Sequence, residues 1–225
     1  MTNIINYIFI SLIAFFLGSI PFALIYVKLF LNKDMRQFGS KNTGALNTLR
    51  IVSHNKGKVW GVISFILVFL LDALKAVLAV IIAQQLLPEN PVLAITLGTF
   101  FSILGHNYSP FLKFKGGRGA ASLLGIFLYL NPLVFVGWLI NVLCFMFLFE
   151  VILGGFVNKK FIKNAISEQI IGRMAGEIYA VWWISIYVPY LFIPAALGTF
   201  LVIIAHKGRI ENQIKKLKEK KYFND

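Results

Sequence analysis

Seven long apolar runs separated by short basic segments leave this chain few ways to fold. The runs lie near 4–28, 59–87, 91–107, 119–131, 132–155, 174–188 and 190–206. A helix needs about 20 apolar residues to cross a bilayer. Inside hydrocarbon the backbone polar groups must be satisfied within the segment, which selects helices. The expected fold is therefore all-α, a polytopic integral membrane helix bundle of about seven spans. Asn131-Pro132 and Val188-Pro189 read as tight turns between antiparallel helices. Hydrophobic residues make up 58% and charged residues 14%, where a soluble domain carries about 25% charged.

The basic residues set the orientation. Seven spans create inner segments at 29–58, 108–118, 156–173 and 207–225, which hold all of the 22 Lys and Arg except Lys75, with Lys28 at the inner edge of the first span. Lys and Arg gather on the cytoplasmic side, so the amino terminus is expected outside and the carboxyl terminus in the cytoplasm. The chain reads as a single membrane domain over 1–225, with 207–225 as a basic cytoplasmic tail whose simplest role is to face solvent or lipid headgroups. Segment 156–173 mixes Lys159, Lys160, Lys163 and Arg173 with Phe161, Ile162, Ile166 and Ile170 at offsets of three and four, the pattern of an interfacial amphipathic helix. The net charge of +13 points to anionic lipid and phosphorylated substrates, and no nucleic-acid-binding motif accompanies it. The single Cys144 excludes an intrachain disulfide and a cysteine-built zinc site. The first basic residue is Lys28, so the apolar amino terminus reads as a first span and not as a cleavable signal peptide.

Two inner segments carry the groups that could do chemistry. In the first, Gly39, Ser40, Asn42, Gly44 and Asn47 are small or turn-forming, and Lys41 and Arg50 supply charge. Glycines let amides approach a phosphate, and an arginine can grip one with two parallel bonds. A plain polar connection is the alternative, but a connection of this length in a compact protein favours function. In the second, Gly116-Gly117-Arg118-Gly119 leads into an apolar helix. A glycine-rich turn at a helix start is an anion site, because unpaired amides and the helix dipole face the ligand. The Gly-Lys-Ser/Thr of a Walker A loop is missing. His106 and His206 both end apolar runs at the inner face. Each reads either as an interfacial cap or as part of the site, and neither has metal-pair spacing, so no metal is expected. Asp72 and Lys75 lie one helical turn apart in the second run, an internal pair that cancels its own charge in preference to a proton relay. No activated-nucleophile set is evident. A site of this kind works by positioning and charge stabilisation, and no cofactor is expected.

Four elements together resemble the bacterial acyl-phosphate-dependent glycerol-3-phosphate acyltransferases. They are Ser19-Ile20-Pro21, the stretch Gly39-Ser40-x-Asn42-x-Gly44-Ala45-x-Asn47-x-x-Arg50, the Asp72-x-x-Lys75 pair, and Gly105-His106 through Phe111, Phe114 and Gly116-Gly117-Arg118-Gly119. The resemblance is detailed from about 18 to about 125 and extends in span pattern to 206. It implies an enzyme of the bacterial cell membrane, with its active site facing the cytoplasm. That enzyme moves a fatty acyl group from acyl phosphate to the 1-hydroxyl of glycerol 3-phosphate, giving lysophosphatidic acid and phosphate, the first acylation of phospholipid synthesis. It implies catalytic roles for Ser40, Arg50, His206 and Asn42. It places Lys41, Gly44, Asn47, His106, Gly116, Gly117, Arg118 and Gly119 on the substrates or their phosphates. Implied partners are acyl phosphate, glycerol 3-phosphate and membrane lipids, with the enzyme that forms the acyl phosphate as a further candidate.

The chain departs from the family pattern in three places. Arg118 stands for a usual Lys, and Leu46 for a Thr. Arg209 stands three residues after His206 where the family has Asn, with Lys216 and Lys218 near an expected Gly and Glu. These changes fall mostly on the acceptor side. They keep two rivals open: a diverged relative that binds anionic lipid or a partner, and a transporter of a phosphorylated solute.

Overall fold

The computed structural model describes residues 2–152 and 169–219. Its described secondary structure is entirely helical: α1 Thr2–Ser19, α2 Phe22–Leu31, α3 Ala45–Lys56, α4 Lys58–Leu86, α5 Pro91–Asn107, α6 Ala120–Leu130, α7 Pro132–Ile152, α8 Ile170–Tyr187, α9 Phe192–Ala205 and α10 Lys207–Lys218. They form two compact units, Met1–Leu130 and Asn131–Asp225.

In the first unit α4 is the central element, with α1, α3, α5 and α6 packed against it. Its inward face carries Gly61, Ser64, Val68, Asp72, Ala76, Ala79 and Ala83. These are mostly small residues at offsets of three and four, which let neighbouring backbones come close. Gly125 of α6 sits over Ala73, where a Cβ would come within 2.6 Å of the alanine methyl. Between α1 and α5 the approach is closer still. A Cβ on Gly18 would strike the Ser102 carbonyl, and one on Gly105 the Phe15 carbonyl. The first apolar run breaks at Ile20-Pro21 into α1 and α2, because proline cannot donate to the helix and disfavours helical geometry before it. The first inner segment contains α3, a 12-residue helix. Gly57 at φ 93° turns the chain between α3 and α4, a conformation favoured by glycine. Ala23, Val27, Met35, Ala45, Ile51 and Val68 form one buried cluster that seats α2, α3 and the loop between them on α4.

In the second unit α7 packs on α8, α8 on α9, and α10 on both α8 and α9. Gly172 and Gly176 put the α8 backbone against Phe149, Phe145 and Val142 of α7. Glu177 of α8 is fully buried and accepts from Arg173 Nε at 3.0 Å.

Fewer than the seven expected runs meet the length and hydropathy that a span requires. Among the described residues three helices are long and apolar enough to cross a membrane: Ile4–Leu31 as a single span, Lys58–Leu86 and Pro132–Ile152. A fourth is reached if the bent pair Pro189–Ala205 and Lys207–Lys218 counts as one. The other runs are helical where expected but are cut short. The helix α6 has 11 residues between Gly119 and the Asn131-Pro132 turn, which is about 16 Å of the roughly 30 Å required. Residues 170–173 begin α8 and do not extend the amphipathic segment, the rest of which lies largely outside the described residues.

Candidate functional site

The glycine loop joins α5 to α6 and folds back over the end of α5. Pro110 opens a single 3-10 turn, and Lys113 and Phe114 follow at φ 52° and 59°, the left-handed region that non-glycine residues rarely occupy. The turn is held by Lys113 N donating to Pro110 O at 3.2 Å and Phe114 N to Ser109 O at 2.9 Å. The chain then returns: Gly116 N donates to Asn107 O at 3.0 Å and Gly117 N to His106 O at 2.9 Å. A Cβ on Gly116 would strike the His106 carbonyl, and one on Gly117 the His106 ring at Nε2. This corrects one expectation. The Gly116 and Gly117 amides do not stand open for a phosphate, because α5 carbonyls occupy them. These glycines allow close approach, while the first-turn amides of α6 lack intrahelical acceptors. Gly119, at φ 75°, makes the turn into that helix.

Beneath the loop lies a buried polar chain. Lys75 Nζ is 2.8 Å from Asp72 Oδ1, with both side chains 3% exposed. The expected pair thus exists, and it reaches further than self-neutralisation. Lys75 Nζ also donates to the Ile20 carbonyl at 2.8 Å, and Ser109 Oγ donates to the Ser19 carbonyl at 2.7 Å. Both acceptors sit at the break that Pro21 introduces, where carbonyls lose their helical donors. His106 Nδ1 lies 3.6 Å from Asp72 Oδ1, an electrostatic contact beyond hydrogen-bond length. The imidazole is buried between the Asp72 carboxylate on one side and Gly117 on the other. The structure therefore brings His106 to the underside of the glycine loop.

The first loop is braced differently. Asn47, 1% exposed, points inward from the first turn of α3. Its Oδ1 accepts from Ser40 N at 2.9 Å, and its Nδ2 donates to Phe38 O at 3.1 Å and Met35 O at 3.3 Å. The Asn47 amide thus acts as a clamp on residues 35–40. Gly44 is the N-cap residue of α3 and offers no side-chain cap. Ser40 and Lys41 are exposed, Asn42 is half-buried, and Arg50 stands on the exposed face of α3 with Leu46. Met35 and Ala45 share a cluster with Val68. Val68 is one turn from Asp72 on the same face of α4, so α4 carries the bases of both loops.

His206, the remaining candidate, lies in the second unit at the junction of α9 and α10, buried, with Nδ1 2.8 Å from Val202 O. Ser109 lies within the Gly105–Phe111 motif, where the sequence assigns it no role, and it joins the site through the Ser19 carbonyl. The Thr43 hydroxyl is buried with no hydrogen-bond partner.

The glycerol-3-phosphate acyltransferase family model matches residues 8–216. A glycerol-3-phosphate acyltransferase of Desulfotalea psychrophila is 43% identical over 123 residues, 54% of this chain and 58% of the relative. One of Listeria monocytogenes is 31% identical over 208 residues, 92% of each. The chain spans less than two thirds of the length of several curated relatives: 58%, 63% and 61% for those of D. psychrophila, Anaplasma phagocytophilum and Nitratiruptor. The crystal structure of PlsY (YgiH), an integral membrane glycerol 3-phosphate acyltransferase in its glycerol 3-phosphate form, matches with a TM-score of 0.66 at 29% identity, covering 96% of this chain and 93% of that one. Its lysophosphatidic acid form matches equally at 27% identity.

Proposed function

The chain belongs to the glycerol-3-phosphate acyltransferase family, and on that premise we propose that it transfers a fatty acyl group from acyl phosphate to the 1-hydroxyl of sn-glycerol 3-phosphate. The hydroxyl oxygen bonds the acyl carbon, the bond from that carbon to the phosphate oxygen breaks, and the hydroxyl proton leaves with the released phosphate. The products are lysophosphatidic acid and inorganic phosphate, the start of phospholipid synthesis. The observation that carries the reading is the glycine loop, which is built over a membrane-buried Asp72–Lys75 pair and His106 and presents Arg118 beside the start of α6. It is a rigid cationic receptor for the phosphate of an acyl donor. Arg50 and Lys41, exposed on and before α3, take the phosphate of the acceptor. Ser40 and Asn42 orient the reacting hydroxyl and the developing oxyanion, and for His206 a catalytic role rests on the family resemblance alone. Gly44 and Asn47 hold the first loop in register, and Gly116, Gly117, Gly119 and His106 hold the second. No nucleophile is needed, since positioning and charge stabilisation suffice.

The protein is an integral, multi-pass, all-α membrane protein. Within that frame we place both loops on the cytoplasmic side, the amino terminus outside and the carboxyl terminus inside, as the Lys and Arg distribution requires. The short helices α5, α6, α8 and α9 then complete seven passages through a locally thinned bilayer, and 1–225 works as one acyltransferase with α10 as its basic end.

The test is phosphate release from palmitoyl phosphate by the purified protein, with and without glycerol 3-phosphate. Release that depends on the acceptor, with lysophosphatidic acid formed, is expected. Acceptor-independent release would assign the acceptor role to water, and no release from folded protein would favour the lipid-binding or transport readings. Arg50→Ala is expected to lower turnover by about a thousandfold, the scale of a lost transition-state donor, while the protein still inserts and purifies, since Arg50 is exposed.

A further inference from the structure

The two helices that flank the glycine loop reach only half-way along α4. Gly98 of α5 packs on Val80, and His106 near the other end of α5 meets Asp72. Tyr129 Oη of α6 donates to Gln84 Oε1 at 3.4 Å, and Ser122 Oγ to the Asp72 carbonyl at 3.1 Å. Both helices therefore lie beside the half of α4 that ends at Leu86. The chain descends along α5 to the middle of α4, turns through the loop and returns along α6. Asp72 is the middle residue of Lys58–Leu86. By residue count α5 and α6 are about 25 Å and 16 Å long, against roughly 43 Å for α4. The loop is also pinned, through Ser109, to Ser19, near the middle of the span Ile4–Leu31. Its floor thus lies within the thickness of the membrane and not on its surface.

The surroundings at that depth are apolar. The other half of α4 exposes Val59, Val62, Ile63, Ile66 and Leu70, so acyl chains extend past the level of the loop floor. Within the loop, the turn Pro110–Leu112 tucks Leu112 inward and leaves Phe111 60% and Phe114 62% exposed. Phe114 stands at φ 59°, a conformation that glycine adopts without cost. The chain keeps a phenyl there although its own backbone gains nothing from one. Lys113 and Lys115 are exposed on either side of Phe114, and the sequence has no Asp or Glu between Glu89 and Glu150. Alternating rings and ammonium groups suit a lipid interface: the rings enter the acyl boundary, and the lysines reach the headgroups on flexible stems.

We propose that residues 111–115 are an interfacial anchor for anionic lipid. Phe111 and Phe114 insert among the acyl chains of the leaflet over the loop, and Lys113 and Lys115 hold its anionic headgroups, drawing them down towards the loop. The anchor rests on the membrane-spanning fold and goes beyond the acyltransferase reading.

The experiment uses the whole protein in nanodiscs of phosphatidylcholine and phosphatidylglycerol. The photoreactive side chain of p-benzoylphenylalanine replaces Phe111 or, separately, Phe114. Illumination of either protein is expected to give adducts with lipid as the main product, read by mass spectrometry. Phosphatidylglycerol should be enriched among them about fivefold over its share of the disc, the weight of one lysine near a charged surface. The enrichment should shrink in high salt. Lys113→Gln combined with Lys115→Gln should abolish it while lipid adducts persist. Adducts formed within the chain, or none because the rings face water, would overturn the proposal. So would an enrichment that survives the double substitution. Should the probe at 114 prevent folding, the probe at 111 gives the same readouts. Crosslinking needs no turnover, so an inactive protein would sink the acyltransferase reading and leave the anchor standing, whereas an active protein without lipid adducts would do the reverse.

Discussion

The two loops of the first unit are anchored by opposite means. The glycine loop rests on charges: Asp72 and Lys75 deep in α4, and His106 between the carboxylate and Gly117. The loop before α3 rests on one neutral amide, Asn47, and leaves Ser40, Lys41 and Arg50 exposed. A buried ion pair is expensive unless both partners stay, so the first arrangement is rigid and intolerant of change. An amide clamp under a solvated loop is cheaper and lets the loop adjust. The contrast is between a loop braced by buried charge and a loop braced by a single neutral amide.

The comparison breaks most sharply at Lys75. Lys75→Met strands the Asp72 carboxylate and should cost about 3–5 kcal/mol, seen as loss of folded protein in detergent. The double variant with Asp72→Asn should recover much of it. Next in size is Gly117→Ala, whose methyl enters the space of the His106 ring. An overpacking cost of about 1–3 kcal/mol is expected, with KM for acyl phosphate raised. Combining it with His106→Ala should relieve the clash, and a double variant no better than the single would show that the ring does not support the loop. Asn47→Ala should cost about 1–3 kcal/mol, because it strands the buried Met35 carbonyl while the Phe38 and Ser40 groups lie nearer solvent. Its mark should be faster amide exchange at Ser40 and lower kcat without loss of the fold.

The smallest effect belongs to Asp34. Hydrogen bonds from the Arg36 side chain and backbone hold its carboxyl at about 2, below the usual 3.8. What the pair contributes is present above the unfolded value and is lost as the pH falls from 3.8 through 2. The pair is partly exposed, so Asp34→Asn should cost under about 1 kcal/mol at neutral pH. The difference from wild type should vanish in acid, which thermal unfolding across that range would check.

Much of this was legible in the chain. The helices lie where the apolar runs lie, because satisfying a backbone in hydrocarbon is a local requirement. Glycines 116, 117 and 119, Arg118 and Arg50 stood out because their spacing is itself local. The number of spans was not legible, since hydropathy marks which residues avoid water but not whether a helix such as α6, with 11 residues, is long enough to cross. Nor was the use of the glycines: the sequence could not show that Gly116 and Gly117 give their amides to α5 carbonyls and their missing side chains to His106.

Local pattern alone was enough to read a helical membrane protein, two glycine-rich basic segments and the family they resemble. Only the tertiary structure decided that Lys75 answers a carbonyl 55 residues away, that Asp72 faces His106, and that Gln213 caps a helix 42 and 43 residues earlier. Those contacts depend on which buried polar groups meet once α1, α4 and α5, and separately α8 and α10, have packed. Local pattern sets the elements, and the cost of leaving a buried donor or charge unpaired chooses their partners.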